Sequence, residues 1–249
     1  MTERAQAQKP GTLKMISRYI FSRSRMVFYE YPYSNPDPWQ PSEDGPIFRV
    51  LTVSDLGRLS ELLAIQRDCE PVFKPAGIQQ AAARLETGEV CYICEKEGRI
   101  IGYSWFAKGE KYIPEIESTI LLGQKDLYLF NSYILKDHRR RNVVGGNLSA
   151  ARKDLIPQGF AREITATMEW NKPAGGSLMK LNFRVAGTVT AGYLLTFRYV
   201  INTCRDIVFR NQTGTFGFYR KMISKLRMLF FRDQRLLPGT EEDDRCIPG

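Results

Sequence analysis

Between residues 135 and 148 the chain reads Leu135-Lys136-Asp137-His138-Arg139-Arg140-Arg141-Asn142-Val143-Val144-Gly145-Gly146-Asn147-Leu148. The apolar run Leu127 to Leu135 before it has the pattern of a strand, and Asn147 to Leu155 after it has that of a helix. Three arginines and two glycines therefore crowd one strand-to-helix turn. Such a turn suits phosphate. Backbone N–H groups at a helix start have no intrahelical partner, the helix dipole adds partial positive charge there, and glycine lets a ligand come close to the backbone. The charges of Arg140 and Arg141, and the backbone from Val143 and Val144 through Gly145 and Gly146, point to a pyrophosphate, with Leu135 closing the strand beside it. His138 is the chain's one histidine. Its place at the start of the turn fits a surface or phosphate-contacting role better than a general base.

The spacing excludes two common phosphate loops, since neither G-x-G-x-x-G nor G-x-x-x-x-G-K-[ST] is present. The segment resembles the pyrophosphate loop of the GNAT superfamily of acyl-CoA-dependent N-acetyltransferases, Q/R-x-x-G-x-G/A after a strand ending V-x-P-x-x-R. Arg140 takes the leading basic position, Leu135 the apolar strand position, Gly145 the last glycine and Leu148 the first buried helix position, while Val143 replaces the middle glycine. A second signature lies downstream. After the breakers Pro157 and Gly159, Glu163 to Trp170 reads as a strand rich in β-formers. Asn171, Ala174, Lys180, Leu181, Asn182 and Phe183 then resemble the family pattern N-x-x-A-x-x-x-Y-x-K-L-G-F. The resemblance implies that Asn171 contacts the pantetheine region of acyl-CoA. It also puts Leu178 where a tyrosine often protonates the departing thiolate, which leucine cannot do.

Other segments follow the same order. Phe48 to Leu51 reads as the first strand, Ser54-Asp55 as the cap of a helix carrying Leu56, Leu59, Leu62, Leu63 and Ile65, and Ile78 to Leu85 as a second helix. Val90 to Cys94 and Ile100 to Phe106 read as a hairpin joined by a turn over residues 95–99. The expected fold is α/β, a GNAT-like mixed central sheet flanked by helices. It would occupy residues 48–200, between a basic and aromatic N-terminal extension, 1–47, and a C-terminal extension, 201–249, with a basic amphipathic helix and a polar tail.

With 249 residues the chain can bury a full core. Its five cysteines, an odd number, form no disulfide framework, and Cys91 and Cys94, three apart on a strand, would point to opposite faces. No metal is expected, and a reducing cytoplasm is the simpler compartment. No apolar run reaches about 18 residues, which argues against a membrane-spanning helix, and the first residues lack the apolar core of a signal peptide.

The chain's net charge is +9, and the flanks hold part of it in local basic clusters. Lys9, Lys14, Arg18, Arg23 and Arg25 interleave with apolar residues, and Phe218 to Arg232 reads as a basic helix with Met222, Ile223, Leu226, Leu229 and Phe230 in one stripe. That stripe fits packing on the core first, peripheral contact with an anionic membrane second and nucleic acid third.

The resemblance implies a GNAT-like N-acyltransferase that moves an acetyl or longer acyl group from acyl-CoA to a small-molecule amine. Glu169, at the end of the second strand, could deprotonate the amine, and Asn131 lies where the family places substrate-facing polar groups. Alternatives are an acyl carrier protein or aminoacyl-tRNA as donor, in cell-envelope or secondary-metabolite synthesis, or a regulatory module that binds acyl-CoA without turnover.

Overall fold

The computed structural model describes residues 21–35, 37, 39, 45–69, 77–139, 142–194 and 197–211. Arg140, Arg141 and the basic stretch Phe218 to Arg232 lie outside them. In chain order the elements are β1 (Phe21–Pro32), β2 (Ile47–Val50), α1 (Leu56–Cys69), α2 (Ile78–Glu86), β3 (Val90–Lys96), β4 (Arg99–Ala107), β5 (Glu110–Ile113), β6 (Ser118–Leu121), β7 (Asp126–Ile134), α3 (Val143–Leu155), β8 (Arg162–Met168), α4 (Lys172–Lys180), β9 (Arg184–Leu194), β10 (Phe197–Asn202) and β11 (Val208–Asn211). Eight strands form one sheet in the order β10-β9-β1-β8-β7-β4-β3-β2, and β11-β6-β5 form a second. Every neighbouring pair of the large sheet is antiparallel except β7 with β8.

The sheet takes in residues on both sides of the 48–200 span. Residues 21–32, expected within an N-terminal extension, form the strand between β8 and β9. The reason lies in their alternation. Met26 and Phe28 enter one core with Ile164 and Val189, and Tyr29 and Tyr31 enter another with Leu148 and Leu178. A strand buried on both faces shows no polar side, and the arginines at its start disguise it as a solvated arm.

Helices α1 and α2 cover β2 to β4 on one face, around Leu59, Leu62, Ile93 and Trp105. The small sheet covers the other half of that face through Ile113, Ile116 and Ile120. On the opposite face α3 and α4 pack over Tyr92, Phe106, Leu127 and Leu129. Cys91 and Cys94 fall in cores on opposite faces, as their spacing requires. The β3–β4 turn is shorter than expected: Glu97 and Gly98, at φ 52° and 75°, make a two-residue turn of the left-handed kind that matches strand twist.

The start of β8 is pinned on all sides. Arg162 donates to both oxygens of Asp126 on β7, at 2.9 and 2.6 Å, and to Glu30 on β1 at 3.1 Å, while Glu30 also accepts from Arg184 on β9 at 2.8 Å. Glu163 is fully buried and accepts from Arg152 of α3 at 3.1 and 3.2 Å. Burial pushes its carboxyl up, against the pull of that guanidinium.

If β1 belongs to the core, Phe28→Ala should lose about 3–5 kcal/mol in urea unfolding, as for other large buried aromatics. A loss below about 1 kcal/mol, the scale of surface changes, would make residues 21–32 a dispensable arm.

Candidate functional site

The parallel pairing of β7 with β8 covers four residue pairs, from Asp126↔Arg162 to Leu129↔Thr165. Both strands then run on, β7 to Ile134 and β8 to Met168, each held on its far edge, by β4 and by β1. Their facing edges lose one another. Backbone groups of residues 130–134 and 166–168 thus border an opening at the carboxyl ends of the two strands. An extended ligand can pair with such edges as a strand would.

Both following helices begin at this end, but their N-termini differ. In α4, Asn171 accepts from the Ala174 N–H at 3.4 Å, so the helix caps itself. In α3, Asn142 stands in the left-handed region at φ 54° and gives no side-chain cap. Gly146 N–H reaches Asn142 O at 3.1 Å, which leaves the first-turn donors ahead of it to a ligand. Of the two helix starts, that of α3 is the one whose donors suit an anion. Of the arginine run, Arg139 is described: it donates to Ile134 O at 2.9 Å and lies over the Tyr133 ring.

The expected turn is corrected in one respect. Val143, Val144, Gly145 and Gly146 belong to the first turn of α3, which starts four residues earlier than the sequence pattern suggests. The glycines have a packing reason of their own. A Cβ at Gly146 would stand 2.2 Å from the Phe48 ring, and one at Gly145 would stand 2.5 Å from Asn142 Oδ1 and 3.0 Å from Leu181. Val143 is buried with Ile101 and Ile134, which explains an apolar residue where a glycine is usual.

A bulge on β7 sends neighbouring side chains to opposite faces. Ser104 of β4 faces two residues, Asn131 and Ser132, and Asn131 takes φ 47°. Ser132 donates to Ser104 Oγ at 3.0 Å, which also accepts from the buried Asn147 of α3 at 3.0 Å. Asn131 faces the other way. With its oxygen turned toward Arg84 it accepts from both terminal guanidinium nitrogens at 2.8 and 3.1 Å. Arg84 lies 5.2 Å from the Trp105 ring centroid and 5.0 Å from that of Phe130, and Lys111 pairs with Glu89 beside it. Burial lowers the Arg84 pKa, with Glu89 opposing.

Leu135, Asn131, Glu169 and Asn171 lie on or just beyond the carboxyl halves of β7 and β8. Glu169 is half-exposed and paired with Arg25 of β1 at 3.0 Å. Leu178 is buried beside Tyr29, Tyr31 and Leu181, so its position faces the core. Sequence reasoning missed Arg84, Ser104 and Asn147. The one signal was Asn147 itself, a polar residue on the inward side of a helix.

No protein-family profile matches the chain, and no curated protein matches it by sequence. Solved structures do match. An acetyltransferase from the GNAT family of Colwellia psychrerythraea superposes with a TM-score of 0.50 at 11% identity, over 67% of this chain and 55% of that one. The fold is that of the GNAT acetyltransferases. A functionally unknown conserved protein from Staphylococcus epidermidis superposes with a TM-score of 0.48 at 7% identity, over 74% of this chain and 67% of that one. A putative GNAT-family acetyltransferase from Novosphingobium aromaticivorans gives 0.44 at 13%, over 68% and 62%. This chain thus spans little more than half the length of the Colwellia GNAT protein.

The two helix starts can be told apart by mutation. Asn171→Ala should lose about 1 kcal/mol of stability, while Asn171→Asp, which keeps the acceptor, should lose little. The check is the thermal midpoint of each variant against wild type. Equal midpoints for Asn171→Ala and wild type would remove the cap.

Proposed function

We propose that the chain transfers an acetyl or longer acyl group from acyl-CoA to a small-molecule amine. The observation that carries this is the parting of β7 from β8 after four pairs, beside the uncapped start of α3. The free N–H groups of that first turn, with Arg140 and Arg141, would hold the pyrophosphate. The exposed strand edges would pair with the amides of the pantetheine arm and set the thioester at the mouth of the opening. The amine would enter from the α1/α2 face, where Asn131 and Arg84 lie. It attacks as the free base, and holding both reactants in line supplies most of the acceleration. Glu169 remains a candidate for receiving the amine's proton through solvent, although its carboxylate is paired with Arg25. The setting proposed for the chain is a reducing, cytoplasmic one.

A second reading has its own observation. Leu178 is sealed in the core, so the helix offers no acid to the leaving thiolate, and a module that binds acyl-CoA without turnover fits that loss. Thiol release in a panel of primary amines separates the two, because the module binds and releases nothing.

Calorimetric titration with CoA and acetyl-CoA tests the shared core of both readings. Wild type should bind, and Arg140→Ala should bind more weakly by about 1.5–3 kcal/mol through loss of a charge-assisted contact. No heat of binding at about 1 mM ligand, the level of a dissociation free energy near 4 kcal/mol, would end the proposal.

A further inference from the structure

Phe130 and Asn131 are the first β7 residues beyond its last pair with β8, and both meet the guanidinium of Arg84. That group lies 5.0 Å from the Phe130 ring centroid and donates through both terminal nitrogens to the Asn131 oxygen, at 2.8 and 3.1 Å. Two direct contacts thus place Arg84 where the strands part. It is 9% exposed, whereas Asn131, which covers its terminal nitrogens, is exposed.

The charge of Arg84 is poorly answered. A guanidinium carries five N–H donors, and among the described residues its hydrogen bonds go to a neutral amide. Its Nε is buried without a hydrogen-bond partner and stands 3.7 Å from Glu89 Oε2, too far for such a bond. The other oxygen of Glu89 pairs with Lys111, whose ammonium lies 4.3 Å from the Phe130 centroid. Two cations therefore share the Glu89 carboxylate. Tyr103 and Cys91, which also act on the guanidinium, are neutral, because burial pushes both well above their ordinary values. The rings of Trp105 and Phe130 favour a cation through their faces but supply no oxygen. A buried charge without a charged, hydrogen-bonded partner is costly, and such groups gather where ligands bind.

We infer that Arg84, with Lys111 beside it, binds a carboxylate of the acceptor, so that the amine acylated here is an amino acid rather than a plain or polycationic amine. The inference rests on the acyl-transfer reading above and names its acceptor. A carboxylate that takes the place of the Asn131 oxygen exchanges a neutral acceptor for a charged one, and charge-assisted bonds are about twice as strong as neutral ones. The same two cations repel an acceptor whose remaining groups are ammonium.

The test supplies acetyl-CoA to the full chain and follows thiol release with three sets of acceptors: amino acids, the corresponding amino-acid amides, which keep the amine and lose the carboxylate, and simple alkylamines. Amino acids should react with kcat/KM roughly ten- to a hundredfold above their amides, the range of a hydrogen bond to a charged group. Arg84→Met removes the charge and keeps an apolar stem. Asn131→Asp gives the guanidinium a carboxylate of the protein's own, in a residue type that tolerates left-handed backbone, and adds a partner to a buried cation, so it decides the matter even if Arg84→Met does not fold. Each variant should erase the preference for amino acids, mainly through KM. Amides or alkylamines that react as well as amino acids in wild type would overturn the carboxylate site and leave acyl transfer standing. So would variants that slow acids and amides by one common factor. Thiol release with no amine at all overturns both.

Discussion

A strand can leave one neighbour only if another holds it. β8 keeps β7 for four residue pairs and β1 for its whole length, from Arg162 to Met168. Without β1, the far edge of β8 would carry unpaired backbone groups in the middle of a sheet, each costing about 1–3 kcal/mol if left without a partner. The opening is therefore a property of three strands. Arg162 fixes where it begins, since its contacts with Asp126 and Glu30 tie β7, β8 and β1 together at the closed end.

Around that opening the two faces divide the chemistry. On one, the first turn of α3 offers backbone donors while α4 satisfies its own with Asn171. On the other, Arg84, Glu89 and Lys111 surround Asn131 with charge. The bulge at Asn131 lets a single strand serve both, because one extra residue reverses the alternation and sends Ser132 toward α3. Rigid packing supports the arrangement, with Gly146 seated on Phe48 and Gly145 against Leu181.

Short runs of β-formers bounded by turn residues and helices with one apolar stripe were legible in the sequence. β3, β4 and β7 fall within a few residues of their expected bounds, as do α1, α2 and β8. What escaped was set by distant partners. Nothing near Phe28 announces that Ile164 and Val189 will close over it. The glycines of α3 looked like a loop because composition cannot separate a glycine that admits a ligand from one that admits a phenyl ring. Gly175 shows the same ambiguity, since only the position of Tyr29, far away in sequence, gives it a reason. The two strands that border the opening could be placed because a local motif marked the end of each.

The strand that holds the sheet together is made before either of its partners. β1 has its partners at residues 162–168 and 184–194, so it emerges during synthesis well before either exists. Contacts so distant along the chain slow folding, because a large loop must close before any of its cost is repaid. Until then Met26, Phe28, Tyr29 and Tyr31 form an apolar, strand-prone segment with both edges open, the kind of segment that joins a neighbouring chain if one is near. The closely spaced basic residues ahead of it, Arg18, Arg23 and Arg25, act as gatekeepers for the nascent chain, since like charges keep such segments apart.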